Sequence, residues 1–172
     1  MWIDVLKAVP DSRLFVLAPR SSLYRNSPRA RMSSAGLDSA RLTFADRVPF
    51  ADYLALYNQI DIALDPFPYG GGTTTCDAIY MGVPVVTLTG KTAVSRAGAS
   101  LLHNLGHPEW IAATPDSYVN IARDLASDLQ SLAHLRTTLR AQMLSSPLTD
   151  APAFARDFES ALRHMWKEWC GQ

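Results

Sequence analysis

Residues 70–77 read Gly-Gly-Gly-Thr-Thr-Thr-Cys-Asp, and here residue types and spacing converge on one chemistry. Gly70, Gly71 and Gly72 let the backbone approach a ligand closely. A helix opening at the threonines would present unpaired N–H groups and a partial positive charge of about half an elementary charge. Thr73, Thr74 and Thr75 add hydroxyl donors, so the segment is a candidate seat for a phosphate or diphosphate. Asp77 falls one turn into the helix, where its carboxylate can accept hydrogen bonds from a sugar diol. A plain helix start would use some of the same residues: a threonine as N-cap, an aspartate complementing the dipole, glycines for a turn. Three glycines directly before three threonines exceed what capping needs.

Other motifs carry less. Gly90-Lys91-Thr92 resembles the end of a P-loop, but the earlier glycine of that motif falls on Val85, inside an apolar run. His103 and His107 are four apart, yet Gly106 and Pro108 end the helix that would align them, so no metal is expected there. No Asp-x-Asp occurs, which leaves a metal-bridged nucleotide-sugar site of that kind without ligands. Cys76 and Cys170 are two distant thiols with no disulfide or metal spacing, and a reducing, cytoplasmic setting is expected.

The elements that must position residues 70–77 are legible around them. Asp61-Ile-Ala-Leu64 reads as a strand ending at Asp65-Pro66, residues 73–81 as a helix closed by Gly82, and Pro84-Val-Val-Thr87 as the next strand. Upstream, Arg13–Ala18 and Arg41–Phe44 read as strands; an arginine-rich loop and a short helix over 28–36 lie between them, and a helix spans 51–59. Downstream come a helix over 92–105, a short strand at 110–113, and helices over 115–128, 131–144 and from 151. The first apolar face, Trp2, Ile3, Val5, Leu6 and Val9, has no N-cap before it, which is expected of a chain that is a piece of something longer or that starts late. Strands alternating with helices over short connections predict an α/β fold, a Rossmann-like parallel sheet with helices on both faces and right-handed crossovers. Ligands of such sheets bind at the carboxyl ends of the strands, which is where residues 70–77 fall. The terminal helix, residues 151–172, carries Phe154, Phe158, Leu162, Met165, Trp166 and Trp169 on one stripe. The stripe packs either on this chain's own core or on a neighbour.

Composition bounds the rest. The 172 residues give one domain with a real core; 48% are apolar and 19% charged, an ordinary globular balance. Sixteen basic residues offset sixteen acidic ones, so no global field draws nucleic acid or an anionic membrane, and no apolar run is long enough to span a bilayer. The basic excess of the first fifty residues sits largely in Arg20, Arg25, Arg29 and Arg31. They form either a solvated face or a contact with an acidic partner or ligand.

Three stretches taken in order resemble a known family: Asp61-Ile-Ala-Leu-Asp-Pro-Phe-Pro-Tyr-Gly-Gly-Gly-Thr-Thr-Thr-Cys-Asp-Ala, Met81-Gly-Val-Pro-Val-Val-Thr-Leu and Ser95-Arg-Ala-Gly-Ala-Ser-Leu-Leu. They are similar to the C-terminal catalytic lobe of bacterial O-linked N-acetylglucosamine transferases, SPINDLY-type proteins included, and the likeness runs on through Ser145-Ser-Pro147 and Met165-Trp166. The resemblance implies the C-terminal half of a GT-B enzyme, two Rossmann-like lobes around a cleft, preceded by tetratricopeptide repeats. It implies a UDP-sugar donor, most often UDP-N-acetylglucosamine, and no metal or other cofactor. The two threonines of the family's His-Thr-Thr motif align with Thr73 and Thr74, and its histidine with Gly72, which leaves that share of diphosphate contact to backbone N–H groups. The ribose-binding aspartate aligns with Asp77. The uracil-contacting loop aligns near Val48-Pro49-Phe50, with Phe50 in place of a lysine and Tyr53 in place of a base-stacking histidine. A tyrosine retains the stacking face.

In the family the N-terminal lobe, its proposed catalytic histidines and the acceptor-binding repeats all lie upstream of what Met1 aligns with. The expected function is therefore that of a donor-binding lobe in transfer of a sugar to a protein Ser/Thr hydroxyl, with the missing lobe and the protein acceptor as partners. Two alternatives stand beside it: a non-catalytic nucleotide-binding or interaction module derived from such a lobe, and a lobe paired with a separately encoded N-terminal half.

Overall fold

The computed structural model describes residues 1–18 and 20–171. In chain order the elements are α1 (Trp2–Ala8), β1 (Leu14–Leu17), α2 (Ser22–Ser34), β2 (Leu42–Ala45), α3 (Phe50–Leu56), β3 (Ala63–Leu64), α4 (Thr73–Tyr80), β4 (Val85–Leu88), α5 (Ala97–Leu105), β5 (Ile111–Ala112), α6 (Pro115–Ser127), α7 (Leu129–Leu144) and α8 (Ala151–Trp169). All described strand pairs are parallel: β1 with β2, and β3–β4–β5 with β4 in the centre. The α/β expectation and its parallel sheet hold.

β4 explains the layering. Its side chains alternate, so Val85 joins Ile79, Val83, Leu102, Trp110 and Leu139 on one face. Val86 and Leu88 join Val5, Ala112, Tyr118 and Ala122 on the other. A strand covered on both faces reads as a nearly continuous apolar run, as residues 83–88 do with Thr87 as the one polar side chain. A third cluster, Leu6, Met32 and Leu42, ties α1 and α2 to β2. Gly82 ends the turn after α4 at φ +79°, and a Cβ there would collide with the Arg136 carbonyl of α7. Arg136 in turn donates to the carbonyls of Tyr57, Ile60 and Met81, fastening α7 to the ends of the helices that flank the site.

Two expectations are corrected. The helix expected over 28–36 begins at Ser22 and carries Pro28 inside it. Pro28 lacks an N–H for the main-chain ladder, but Met32, 2% exposed, anchors the helix in the third cluster and packing overrides the local signal. The arginines of this segment form a largely exposed face that still contacts its own chain: Arg20 and Arg25 pair with Asp46 at 2.7 and 2.5 Å, Arg25 and Arg29 lie over the Phe44 ring, and Arg20, Arg29 and Arg31 are exposed. The terminal helix runs to Trp169, and Gln172 lies outside the described residues. Its aromatic stripe is exposed along its whole length, so of the two readings the chain's own core is not what covers it. Among the described residues no helix is long and apolar enough to cross a membrane.

Candidate functional site

Strand β3 ends at Leu64, Asp65 follows it directly, the chain turns through Pro66–Gly72, and α4 opens at Thr73. Gly72 is the N-cap of α4, and no side chain caps this end among the described residues. An N-terminus of this kind offers its first N–H groups and the positive end of the dipole to an anion. Thr73 and Thr74 are exposed there. Gly72 is exposed too, and a Cβ on it would meet open space. Gly71 is enclosed instead: a Cβ would strike Thr75 Oγ1 and come within 2.8 Å of Thr74 Oγ1 and 2.9 Å of Asp65 Oδ1. Thr75 is buried, and its hydroxyl donates inward to Asp65 Oδ1 at 3.2 Å.

Asp77 sits one turn in, half-buried, facing α3. The Tyr53 hydroxyl donates to Asp77 Oδ2 at 3.1 Å and lies 2.6 Å from the Tyr57 hydroxyl, which lies 3.3 Å from the Thr74 carbonyl. The two rings meet edge to face at 5.4 Å. Burial pushes the Tyr53 and Tyr57 phenols up, so both stay protonated and available as donors. Phe50, exposed at the start of α3, tilts against Tyr53 with centroids 6.1 Å apart. Val48 is exposed in the loop that leads into α3. The structure thus brings Gly71, Gly72, Thr73, Thr74, Asp77 and Tyr53 together at the carboxyl end of β3, turns Thr75 inward, and leaves Val48 in the loop ahead of α3.

Asp65 is the residue that sequence reasoning missed. It is 6% exposed and accepts from Gly71 N at 2.9 Å, Thr75 Oγ1 at 3.2 Å and Thr87 Oγ1 at 2.9 Å. Burial raises its pKa, and these three hydrogen bonds oppose the shift. In the sequence it reads only as a polar strand end before proline. Elsewhere, His107 stacks on Trp110 and bonds Glu109 and Gln142, and among the described residues no group of three or more His, Cys, Asp or Glu could hold a metal ion.

Comparison with known proteins places this geometry in a family. Residues 1–158 match the family described as glycosyl transferase family 41. The chain is similar to a probable UDP-N-acetylglucosamine–peptide N-acetylglucosaminyltransferase SPINDLY of Hordeum vulgare, 40% identical over 99% of this chain and 18% of that protein. The protein of the same name from Arabidopsis thaliana is 41% identical over 99% of this chain and 19% of its own length. Among solved structures, a mutant O-GlcNAc transferase of Thermobaculum terrenum superposes with TM-score 0.89 at 38% identity, over 99% of this chain and 33% of that one. This chain therefore spans a fifth or less of those two plant relatives and a third of that structure. It belongs to glycosyl transferase family 41, as the C-terminal lobe of the GT-B architecture.

Proposed function

We propose that this chain is the donor-binding lobe of a protein O-glycosyltransferase, and that it seats a UDP-sugar, most simply UDP-N-acetylglucosamine, on the N-terminus of α4. The observation that carries this is the helix start without a side-chain cap, with Thr73 and Thr74 exposed beside it and Asp77 one turn behind. The backbone N–H groups of Gly72, Thr73 and Thr74, with the two threonine hydroxyls, meet the diphosphate. Asp77, held by Tyr53, accepts from the ribose diol. Tyr53 and Val48 edge the base. The names of the plant relatives support the donor and a protein acceptor.

In the transfer, an acceptor Ser/Thr oxygen bonds the anomeric carbon as the bond from that carbon to the diphosphate oxygen breaks. Negative charge collects on the departing nucleotide. Donors already aimed at that charge stabilise the transition state, and losing one costs about 3 kcal/mol. The acceptor proton leaves to a base that this chain is not assigned to supply, and the acceptor-binding repeats and second lobe are the partners of this half. The two free cysteines, Cys76 and Cys170, suit a reducing, cytoplasmic setting.

Calorimetric titration of the 172-residue chain with UDP, with GDP and ADP as controls, tests the reading. Selective UDP binding that weakens at least about tenfold in Thr74→Ala and in Asp77→Ala is expected. Unchanged affinity in both variants would contradict it. The exposed stripe of α8 favours a second reading, a non-catalytic interaction module. Sugar-nucleotide hydrolysis on addition of the missing lobe separates the two, since a module would add none.

A further inference from the structure

Asp65 is caged more tightly than a strand end requires. Its main-chain N–H donates to the Val86 carbonyl of β4 at 2.9 Å, and its carbonyl accepts from the Tyr118 hydroxyl of α6 at 2.9 Å, so a strand and a helix together fix its backbone. Its carboxylate is walled by glycines. A Cβ at Gly70 would stand 3.2 Å from Oδ2, one at Gly71 would stand 2.9 Å from Oδ1, and one at Gly98 of α5 would collide with Oδ2 and with Thr87. Burying a carboxylate is unfavourable unless its lone pairs are met, and here they are met from two directions. Gly71 N–H and the Thr75 hydroxyl come from the glycine loop and the first turn of α4. The Thr87 hydroxyl comes from β4, the most deeply buried strand. The residues between the two loop-side donors are Gly72, Thr73 and Thr74, the exposed groups at the helix start.

We propose that Asp65 is a positioning residue for the nucleotide diphosphate: it fastens the Gly70–Gly72 loop and the first turn of α4 to the sheet, in the shape that receives the ligand, without touching it. The proposal rests on the donor-binding reading above. It also gives Thr75 a different task from Thr73 and Thr74, because its hydroxyl proton is committed to Asp65.

The test is UDP titration and thermal melting of the wild-type chain and three variants, Asp65→Ala, Asp65→Asn and Thr87→Val. Asn keeps an oxygen for Gly71 and Thr75 and turns its amide toward Thr87. Thr87→Val removes the sheet-side donor from a buried side chain that does not reach the helix start. The expected result is a cooperative melt in each variant, UDP affinity down about tenfold in Asp65→Ala, down a few-fold in Thr87→Val, and closer to wild type in Asp65→Asn than in Asp65→Ala. A purely structural role would lower the melting temperatures while every folded variant bound UDP like wild type, and that result overturns the proposal while the donor reading stands. Should Asp65→Ala not fold, Thr87→Val and Asp65→Asn decide by the same criterion. A wild-type chain that binds no nucleotide removes the donor reading and this proposal with it.

Discussion

Strand β4 and helix α8 are both written in large apolar residues, and they meet opposite fates. Every residue of β4 is buried, with Val86 fully enclosed between the two layers of helices. α8 buries none of its nineteen residues, and Trp169 at its end is 85% exposed. β4 has neighbours on both edges and both faces, so its apolar area is removed from water by this chain alone. α8 is held by local chemistry: Asp150 caps it by accepting from Ala153 N at 2.9 Å, and Pro152 sits in its first turn. An amphipathic pattern therefore fixes which face of a helix is apolar and leaves open what covers it.

The largest effect that would break this contrast lies in the core. Leu102, wholly buried against β4 in α5, should cost about 2–5 kcal/mol when truncated to alanine, read from denaturant unfolding. Next comes the hydroxyl that bridges α3 and α4. Tyr53→Phe keeps the ring and loses the bond to Asp77, so UDP affinity should fall about fivefold in a titration while the melt stays put. A cap should matter less than core and more than stripe. Thr114 and Ser117 form a reciprocal cap at the start of α6, and Thr114→Ala should cost about 1 kcal/mol. The smallest change is expected on α8, where Trp166→Ala should stay within about 0.5 kcal/mol of wild type. A loss at Trp166 as large as that at Leu102 would erase the distinction between the two regions.

The parts of the fold that were legible in the sequence are those set by local pattern. Pro84-Val-Val-Thr87 follows a glycine stop, and residues 73–81 run from threonines to that glycine; β4 and α4 form there, each within a residue of the bounds expected. What escaped depended on distance along the chain. Asp65 reads as a strand end because its meaning comes from Thr87 and Gly98, far downstream. Tyr53 reads as a stacking ring, and only the folded chain brings its hydroxyl to Asp77. Helix α2 was half hidden because Pro28 and its arginines resemble a loop, and the contacts that overrule them come from α1, β2 and Asp46. At the site, the exposed glycine–threonine helix start was readable, while the carboxylate beneath it was not.

The central claim is that the N-terminus of α4 receives the nucleotide. Amide hydrogen exchange of the wild-type chain, with and without saturating UDP, tests it most directly. The account predicts slower exchange over residues 70–77 and 50–57, and no change along α8. Protection confined to α8, or none over 70–77 at a UDP concentration that calorimetry shows to be saturating, would contradict it.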